Sequence, residues 1–300
     1  MIRLEHVGKT YKKGEVIALN DVNIQVEKGA LTAVIGRNGA GKSTLFKIIC
    51  GVITDYTGSS HINNSRSSID MSEKISYLPE ERGLDGRMQV LEHLTDMVCY
   101  KGIKKGIAQK AVEEWLNEFG LQDSKFRRID TLSKGNQQKL QFIVAIASNP
   151  EILILDEPFS GLDTITSDLL WTVINRLRKK GCTIIFSTHN LNDKLMDCDE
   201  FIFIVNGKVI EKGCLDLIQD KYPLILEIQN SSFQIENIYD LVNKDNIQCL
   251  QKVYYIEVDN LEISKIIFER LENKYCEKFY VRKMNITELF RKINGCNDNE

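Results

Sequence analysis

The chain has 300 residues, 43% of them hydrophobic and 27% charged, with a formal net charge of −3. That balance fits a globular fold of one large domain, or of a medium domain joined to a small one. It supplies no basic face of the kind that nucleic-acid binding requires, so nucleic acid is not an expected partner. The longest apolar runs, around Glu151–Leu155 and Phe201–Val205, fall far short of the roughly 18–20 residues that a membrane-spanning helix needs. Met1-Ile2-Arg3-Leu4-Glu5 opens on a strand-like segment, so no secretory leader is expected. Eight cysteines are scattered without a C-x-x-C pair, and the four histidines show no ligand spacing. The cysteines read as reduced thiols packed as small hydrophobes, without a metal or disulfide framework.

In chain order, Ile2–His6, Val22–Val26 and the apolar run Leu31–Ile35 read as strands, with helical character from Lys42 to Cys50. Ile75–Leu78 is a short strand ended by Pro79. From Gln89 to about Phe119 the period becomes helical, with Val90, Leu94, Ala111, Trp115 and Phe119 along one face. Strand signals return at Glu151–Leu155, Cys182–Ser187 and Phe201–Val205, separated by helical stretches such as Thr166–Lys179. Strands alternating with helices predict a mainly parallel, covered sheet. Asn206-Gly207 before Lys208–Glu211 predicts a hairpin. Past Tyr222-Pro223 the pattern restarts, with strands at Leu224–Ile228, Tyr254–Val258 and Lys278–Lys283. Helices are expected at Ile235–Val242, Ile263–Glu272 and Ile286–Ile293. The sequence β-α-β-β-α-β reads either as a separate split-βαβ module or as an extension padding the main domain.

Gly36-Arg37-Asn38-Gly39-Ala40-Gly41-Lys42-Ser43 fits G-x-x-x-x-G-K-[ST], with a strand before it and a helix after it. Glycines let backbone N–H groups turn in around phosphates, and the helix N-terminus adds partial positive charge. Lys42 is expected to reach the β- and γ-phosphates of a nucleoside triphosphate, and Ser43 to offer its hydroxyl to Mg²⁺. Ile152–Leu155 delivers Asp156 and Glu157 to a strand end, where ligands of parallel sheets bind. Asp156 suits a hard cation, and Glu157 suits a general base for the attacking water. His189 closes a neighbouring apolar strand, Thr183–Phe186 with Ser187-Thr188, and can donate to the γ-phosphate and orient that water.

Over about residues 1–215 the chain resembles the ATP-binding subunits of ABC transporters. Leu132-Ser133-Lys134-Gly135-Asn136-Gln137 is similar to the family signature, usually Leu-Ser-Gly-Gly-Gln, and Ser160-Gly161-Leu162-Asp163 to the loop that links two nucleotide sites. The resemblance places Tyr11 and Thr44 in the nucleotide site, Tyr11 as the aromatic that stacks on adenine. It also makes Tyr77-Leu78-Pro79-Glu80 the loop that senses the transmembrane partner. Glu80 stands where glutamine is usual, and Lys134 and Asn136 where glycine and glutamine are usual; Ser133 and Gly135 remain. Glu-Glu-Arg-Gly after Pro79 and Gly-Asn-Gln-Gln-Lys in the signature look like a bacterial subgroup similar to NatA-type exporter ATPases.

The resemblance implies an α/β chain: a P-loop NTPase of ABC type spanning 1–222, followed by a small α+β module over 223–300. The first part is expected to hold a parallel-sheet core, an N-terminal antiparallel β part and a helical subdomain at about 88–148. ATP and Mg²⁺ are the implied ligands, with Ser43, Asp156 and Glu80 toward the metal. Ser133 and Gly135 are implied to act on nucleotide held by a second nucleotide-binding subunit, in a homodimer, and Lys134 and Asp163 are counted with them among the nucleotide-binding residues. A membrane-spanning permease is the other implied partner, holding the chain at the inner face of the membrane. The competing readings are a non-transport ABC ATPase acting on DNA or ribosomes, and a nucleotide sensor without turnover. The spacing between Lys42 and Ser133 leaves no room for the long coiled coils of DNA-repair relatives. Glu157 and His189 argue against a sensor.

Overall fold

The computed structural model describes residues 1–63, 74–81, 83–229, 234–271 and 276–295; Arg82 of the Glu-Glu-Arg-Gly stretch, Glu272 and Cys296 lie outside the described residues. The chain divides into two compact units, Met1–Lys212 and Gly213–Glu300.

In the first unit, β1 (Ile2–Tyr11), β2 (Val16–Val26) and β4 (Thr57–Ile62) form an antiparallel sheet in the order β2-β1-β4. The first two strands run roughly twice the expected lengths. Register slips between Leu4 and Val7, where His6 takes φ 52°, while Asp21 on β2 takes φ 54°. His6 Nδ1 and Asp21 Oδ1 are 2.7 Å apart across this irregularity. Such a bulge interrupts the two-residue alternation, which hides the outer halves of both strands from a pattern search. The edge strand β4 reads Thr-Gly-Ser-Ser-His-Ile and carries little strand propensity. Its Gly58 has φ 85°, and a Cβ there would stand 2.3 Å from His6 O, so only glycine lets the strands approach.

The central sheet holds β3 (Leu31–Ile35), β5 (Ile75–Leu78), β6 (Ile152–Leu155), β7 (Thr183–Thr188), β8 (Glu200–Val205) and β9 (Lys208–Gly213). Their order is β5-β6-β7-β3-β8-β9, and the registers from β5 through β8 are parallel. Every residue of β3, β6 and β7 is buried, as a parallel strand covered on both faces requires. The turn from β8 to β9 uses Asn206 and Gly207 at φ 48° and 76°, both left-handed as a two-residue hairpin needs.

Helix α1 (Lys42–Ile49) follows β3, and α5 (Thr164–Lys179) lies between β6 and β7. Between β5 and β6 come α2 (Val90–Cys99), α3 (Lys105–Glu118) and α4 (Lys134–Ala147), which pack on one another as the helical part. Leu94, Val98, Ala108, Val112 and Leu116 are buried in it, and Phe119 meets Phe142 at 6.0 Å between ring centroids. Among the described residues, no helix is long and apolar enough to cross a membrane.

The second unit begins about ten residues before the expected break at Tyr222-Pro223. Its first helix, α6 (Leu215–Gln219), buries Ile218, and Gln219 Nε2 donates to Met284 O at 2.6 Å. Lys283 also pairs with Asp216 and Asp220, so these contacts bind the helix to the chain around Lys283 and Met284. Strands β10 (Leu224–Gln229), β11 (Ile247–Leu250), β12 (Val253–Val258) and β13 (Lys278–Arg282) form an antiparallel sheet in the order β11-β12-β10-β13. With α7 (Leu261–Glu269) before β13, this is the split-βαβ order. The helix expected over Ile235–Val242 is only a 3₁₀ turn, Ile235–Ile238. Arg270 Nη1 donates to Asn237 O at 2.9 Å, taking a carbonyl that a continuing α-helix would use. Burial opposes ionisation of Glu227 on β10, yet hydrogen bonds from Lys278 and Arg282 outweigh it and hold its carboxyl below the usual range.

The closing helix α8 (Ile286–Ile293) starts on a capping box: Asn285 Oδ1 accepts from Glu288 N at 2.9 Å, and Glu288 Oε2 accepts from Asn285 N at 2.7 Å. Asn285→Ala should lower the local stability of α8 by about 1 kcal/mol. Faster hydrogen exchange of the α8 amides would register this, and unchanged protection would show the cap to be idle.

Candidate nucleotide site

The end of β3 delivers Gly36, and the chain turns through Arg37–Gly41 into α1 with Lys42 at its first position. Two glycines are required sterically. A Cβ at Gly36 would lie 2.6 Å from Ile204 O; one at Gly41, where φ is 107°, would lie 2.4 Å from Ala18 O. The loop therefore sits against β8 and β2, and the Ala40 N–H donates to Arg37 O at 3.1 Å within it. Lys42 is buried, and its Nζ donates to Gly36 O at 2.8 Å and to Arg37 O at 3.3 Å.

A cavity of about 380 Å³ opens over this loop, within the range of small-molecule sites. Asn38 through Thr44, Tyr11, Glu80, Asp156 and Glu157 all line it, as the sequence reading expects. Val16, Ile17 and Ala18 line it too and escaped that reading. They open β2 directly after the Gly14-Glu15 turn, with Val16 45% and Ile17 58% exposed, an exposure that the sequence pattern does not mark. Tyr11 is partly exposed at the cavity rim, with its hydroxyl 3.4 Å from Thr44 Oγ1 and the Lys9 ammonium 5.3 Å from its ring centre.

At the end of β6 the two carboxylates take different environments. Both are buried, Asp156 at 2% and Glu157 at 6% exposure. Asp156 Oδ1 accepts from Ser187 Oγ at 2.6 Å, and Oδ2 accepts from the Tyr77 hydroxyl at 3.3 Å. Burial and then the Asp156 charge push the Tyr77 hydroxyl well above its ordinary value, so it stays a protonated donor. Glu157 has φ 49°, left-handed for a non-glycine residue, and its N–H donates to Ser187 Oγ at 2.8 Å. Its Oε2 lies 2.9 Å from His189 Nδ1 and its Oε1 3.3 Å from Lys42 Nζ. That Oε1 has the lysine as ion-pair neighbour but accepts no hydrogen bond. His189 thus joins the site through Glu157, while its own side chain is half exposed.

Asp156 and the Ser43 hydroxyl put oxygen donors into one cavity, the donor type that a hard divalent cation takes. Among the described residues no three His, Cys, Asp or Glu side chains gather closely enough to hold a metal alone. The fit is therefore to Mg²⁺ completed by phosphate oxygens and water.

Ser133, Lys134, Gly135 and Asp163 do not line this cavity. Ser133 caps α4, its Oγ accepting from Asn136 N at 3.3 Å. Asp163 caps α5, accepting from the Thr166 N–H at 2.9 Å and the Thr166 hydroxyl at 3.0 Å. These two bonds hold its carboxyl below its ordinary value. Helix α4 is tied back to the site by amides that the sequence reading missed. Gln138 Nε2 donates to Pro158 O at 3.1 Å, and Gln141 Nε2 to Pro79 O and Glu81 O at 3.2 and 3.0 Å.

Residues 19–160 match the ABC transporter family. Over 303 residues the chain is 32% identical to YhaQ of Bacillus subtilis, an uncharacterized ABC transporter ATP-binding protein, covering 97% of each. It is 30% identical to the ABC transporter ATP-binding protein NatA of Bacillus subtilis, over 73% of this chain and 92% of NatA. Among solved structures, an ATP-binding subunit of an ABC transporter superposes with TM-score 0.68 at 31% identity, over 74% of this chain and 92% of that one. The bacterial ABC transporter cassette MJ0796, solved as a dimer, superposes with TM-score 0.66 at 26% identity, over 72% of this chain and 99% of that one. A second structure of that cassette holds a post-hydrolysis state with ADP and Pi. With the phosphate loop, the acidic strand end and the capped signature helix in one fold, the chain belongs to the ABC transporter ATP-binding proteins and is an ATPase of that family.

Proposed function

We propose that the chain is the ATP-hydrolysing subunit that energises a separate membrane-spanning permease, docked on it at the cytoplasmic face and working in export. The observation that carries the catalytic part is Glu157, buried between Lys42 and His189 at the floor of the phosphate-loop cavity. Tyr11 stacks on the adenine, and the amides of Gly39 to Thr44 and the Lys42 ammonium hold the phosphates. Lys42 trades its contacts with Gly36 O and Glu157 for the β- and γ-phosphate oxygens. Ser43 and Asp156, with Glu80, would hold Mg²⁺, whose positive charge would stabilise the charge developing on the transferred phosphate. Glu157 accepts a proton from the attacking water, and His189 keeps Glu157 oriented and donates toward the γ-phosphate. Ser133 and Gly135 act on nucleotide held by a second copy of the chain, and Asp163 lies on the loop joining the two sites. Export is supported by the resemblance of Glu-Glu-Arg-Gly after Pro79 and of Gly-Asn-Gln-Gln-Lys in the signature to NatA-type exporter ATPases.

Isolation of the full chain from detergent-solubilised membranes of its native cell tests the transporter assignment. A stoichiometric integral-membrane subunit should accompany it, and Mg²⁺-dependent ATP hydrolysis should be measurable in the complex. Recovery of the whole pool from the membrane-free fraction, without such a subunit, would remove the assignment. Tyr11→Ala should weaken nucleotide binding by roughly ten- to a hundredfold, from the ~1–3 kcal/mol that base–aromatic stacking contributes. Titration with a fluorescent ATP analogue measures it, and an unchanged Kd would take the adenine away from Tyr11.

A further inference from the structure

We propose that Ser187 is a positioning residue whose single hydroxyl sets Asp156 and Glu157 as a fixed pair; this rests on the proposed roles of those two carboxylates. Ser187 lies wholly buried on β7, beside β6, whose end leads directly into both carboxylates. An ionised carboxylate only accepts hydrogen bonds, so the Ser187 proton goes to Asp156 Oδ1 at 2.6 Å. That commitment turns a lone pair of the same oxygen toward the Glu157 N–H at 2.8 Å. The two bonds are therefore compatible in direction, and one hydroxyl serves both members of the pair.

The Glu157 bond has a task beyond satisfying a buried amide. Glu157 stands at φ 49°, a conformation that a side chain resists unless the surroundings hold it. The Ser187 hydroxyl is the acceptor that its N–H finds there, and the resulting backbone turn aims Oε1 and Oε2 at Lys42 and His189. Asp156 has a second hydroxyl donor, Tyr77, at the longer distance of 3.3 Å. Tyr77 touches only the metal-binding carboxylate, whereas Ser187 touches both members of the pair. The two residues consequently separate by experiment.

Ser187→Ala should lower kcat for ATP hydrolysis by roughly 10–100-fold, the usual cost of losing an outer partner of a metal ligand. Saturating Mg²⁺ should not recover it, because Glu157 has also lost its anchor. The Glu157 amide should exchange with solvent faster in this variant, in the absence of any metal or nucleotide. Tyr77→Phe should weaken Mn²⁺ binding in the presence of ADP, read by electron paramagnetic resonance, and its loss of rate should be recovered by raising Mg²⁺. Ser187→Thr keeps the hydroxyl and should restore both amide protection and most of the rate. Ser187→Cys fills the same space with a weak donor and carries the test if the alanine chain does not fold.

Parent-like amide exchange and kcat in folded Ser187→Ala or Ser187→Cys would overturn the proposal. So would full recovery by Mg²⁺, since Ser187 would then serve Asp156 alone. Glu157→Gln measured alongside separates the two levels. An active Glu157→Gln sinks the site reading itself, whereas an inert one with a normal Ser187→Ala sinks only the pairing.

Discussion

Glu157→Gln is expected to lower kcat for ATP hydrolysis by about 10²–10⁴-fold while leaving ATP binding in place, the range that a positioned general base supplies. Glutamine keeps the shape of the side chain in a site where Glu157 is 6% exposed, so little repacking is needed. What changes is charge and proton affinity. The neutral amide cannot take a proton from water, and its NH₂ group must face either the Lys42 ammonium or the His189 ring, which stand at 3.3 and 2.9 Å from the two oxygens. The phosphate loop, Ser43 and Asp156 are untouched, so nucleotide should still enter and should still bridge the two chains of the proposed dimer. ATP should therefore trap a dimer, seen as a doubling of mass in size-exclusion chromatography with light scattering. A variant that hydrolyses at the parent rate and stays monomeric with ATP would end the proposed role of Glu157.

The legible part of the fold was the part governed by continuous burial. Leu31–Ile35, Ile152–Leu155 and Thr183–Thr188 are covered on both faces, and their apolar runs, broken only by hydroxyl residues, announce this without alternation. The outer halves of β1 and β2 were illegible because His6 and Asp21 break the period with left-handed backbone, and β4 because its residues carry no strand signal. In the second unit, the order of strands and helices followed from the pattern, but the turn after β10 did not. Arg270 takes the Asn237 carbonyl there, and a contact spanning 33 residues leaves no local trace.

The site divides along the same line. Asn38–Ser43, Asp156 and Glu157 come together because short segments place them at the carboxyl ends of β3 and β6, which flank β7 in one parallel sheet, so spacing alone located them. Val16–Ala18, Ser187, Gln138 and Gln141 reach the site, or groups beside it, only through contacts between distant elements. A buried serine that closes an apolar strand looks in sequence like any small residue. Its partners, at separations of 30 and 31 residues, appear only once β6 and β7 lie side by side.

Mixing Lys42→Ala chains with Ser133→Arg chains is expected to restore hydrolysis that neither variant shows alone. The first loses the lysine that lines the phosphate cavity, and the second places a bulky cation on the helix cap that should meet the other copy's γ-phosphate. Ser133 and Lys134 are exposed, and none of Ser133, Lys134 and Gly135 lines the cavity of its own chain. A Cβ built at Gly135 meets nothing within 4 Å, and its backbone is ordinary helix, so no neighbour among the described residues demands glycine at that place. Glycine there leaves room for close approach from outside the chain, as the nucleotide of the proposed head-to-tail partner would make. In an equal mixture, half of the dimers contain one chain of each kind. Each such dimer has one site with both defects and one with an intact Lys42 facing an intact Ser133. Hydrolysis should thus return to about a quarter of the parent rate if the sites act independently, and less if they are coupled. Steady-state phosphate release from the separate and mixed chains reads this directly. If mixed dimers form, as cross-linking of tagged chains would establish, and the rate stays at the background of the single variants, the shared site fails and Ser133 must serve its own chain.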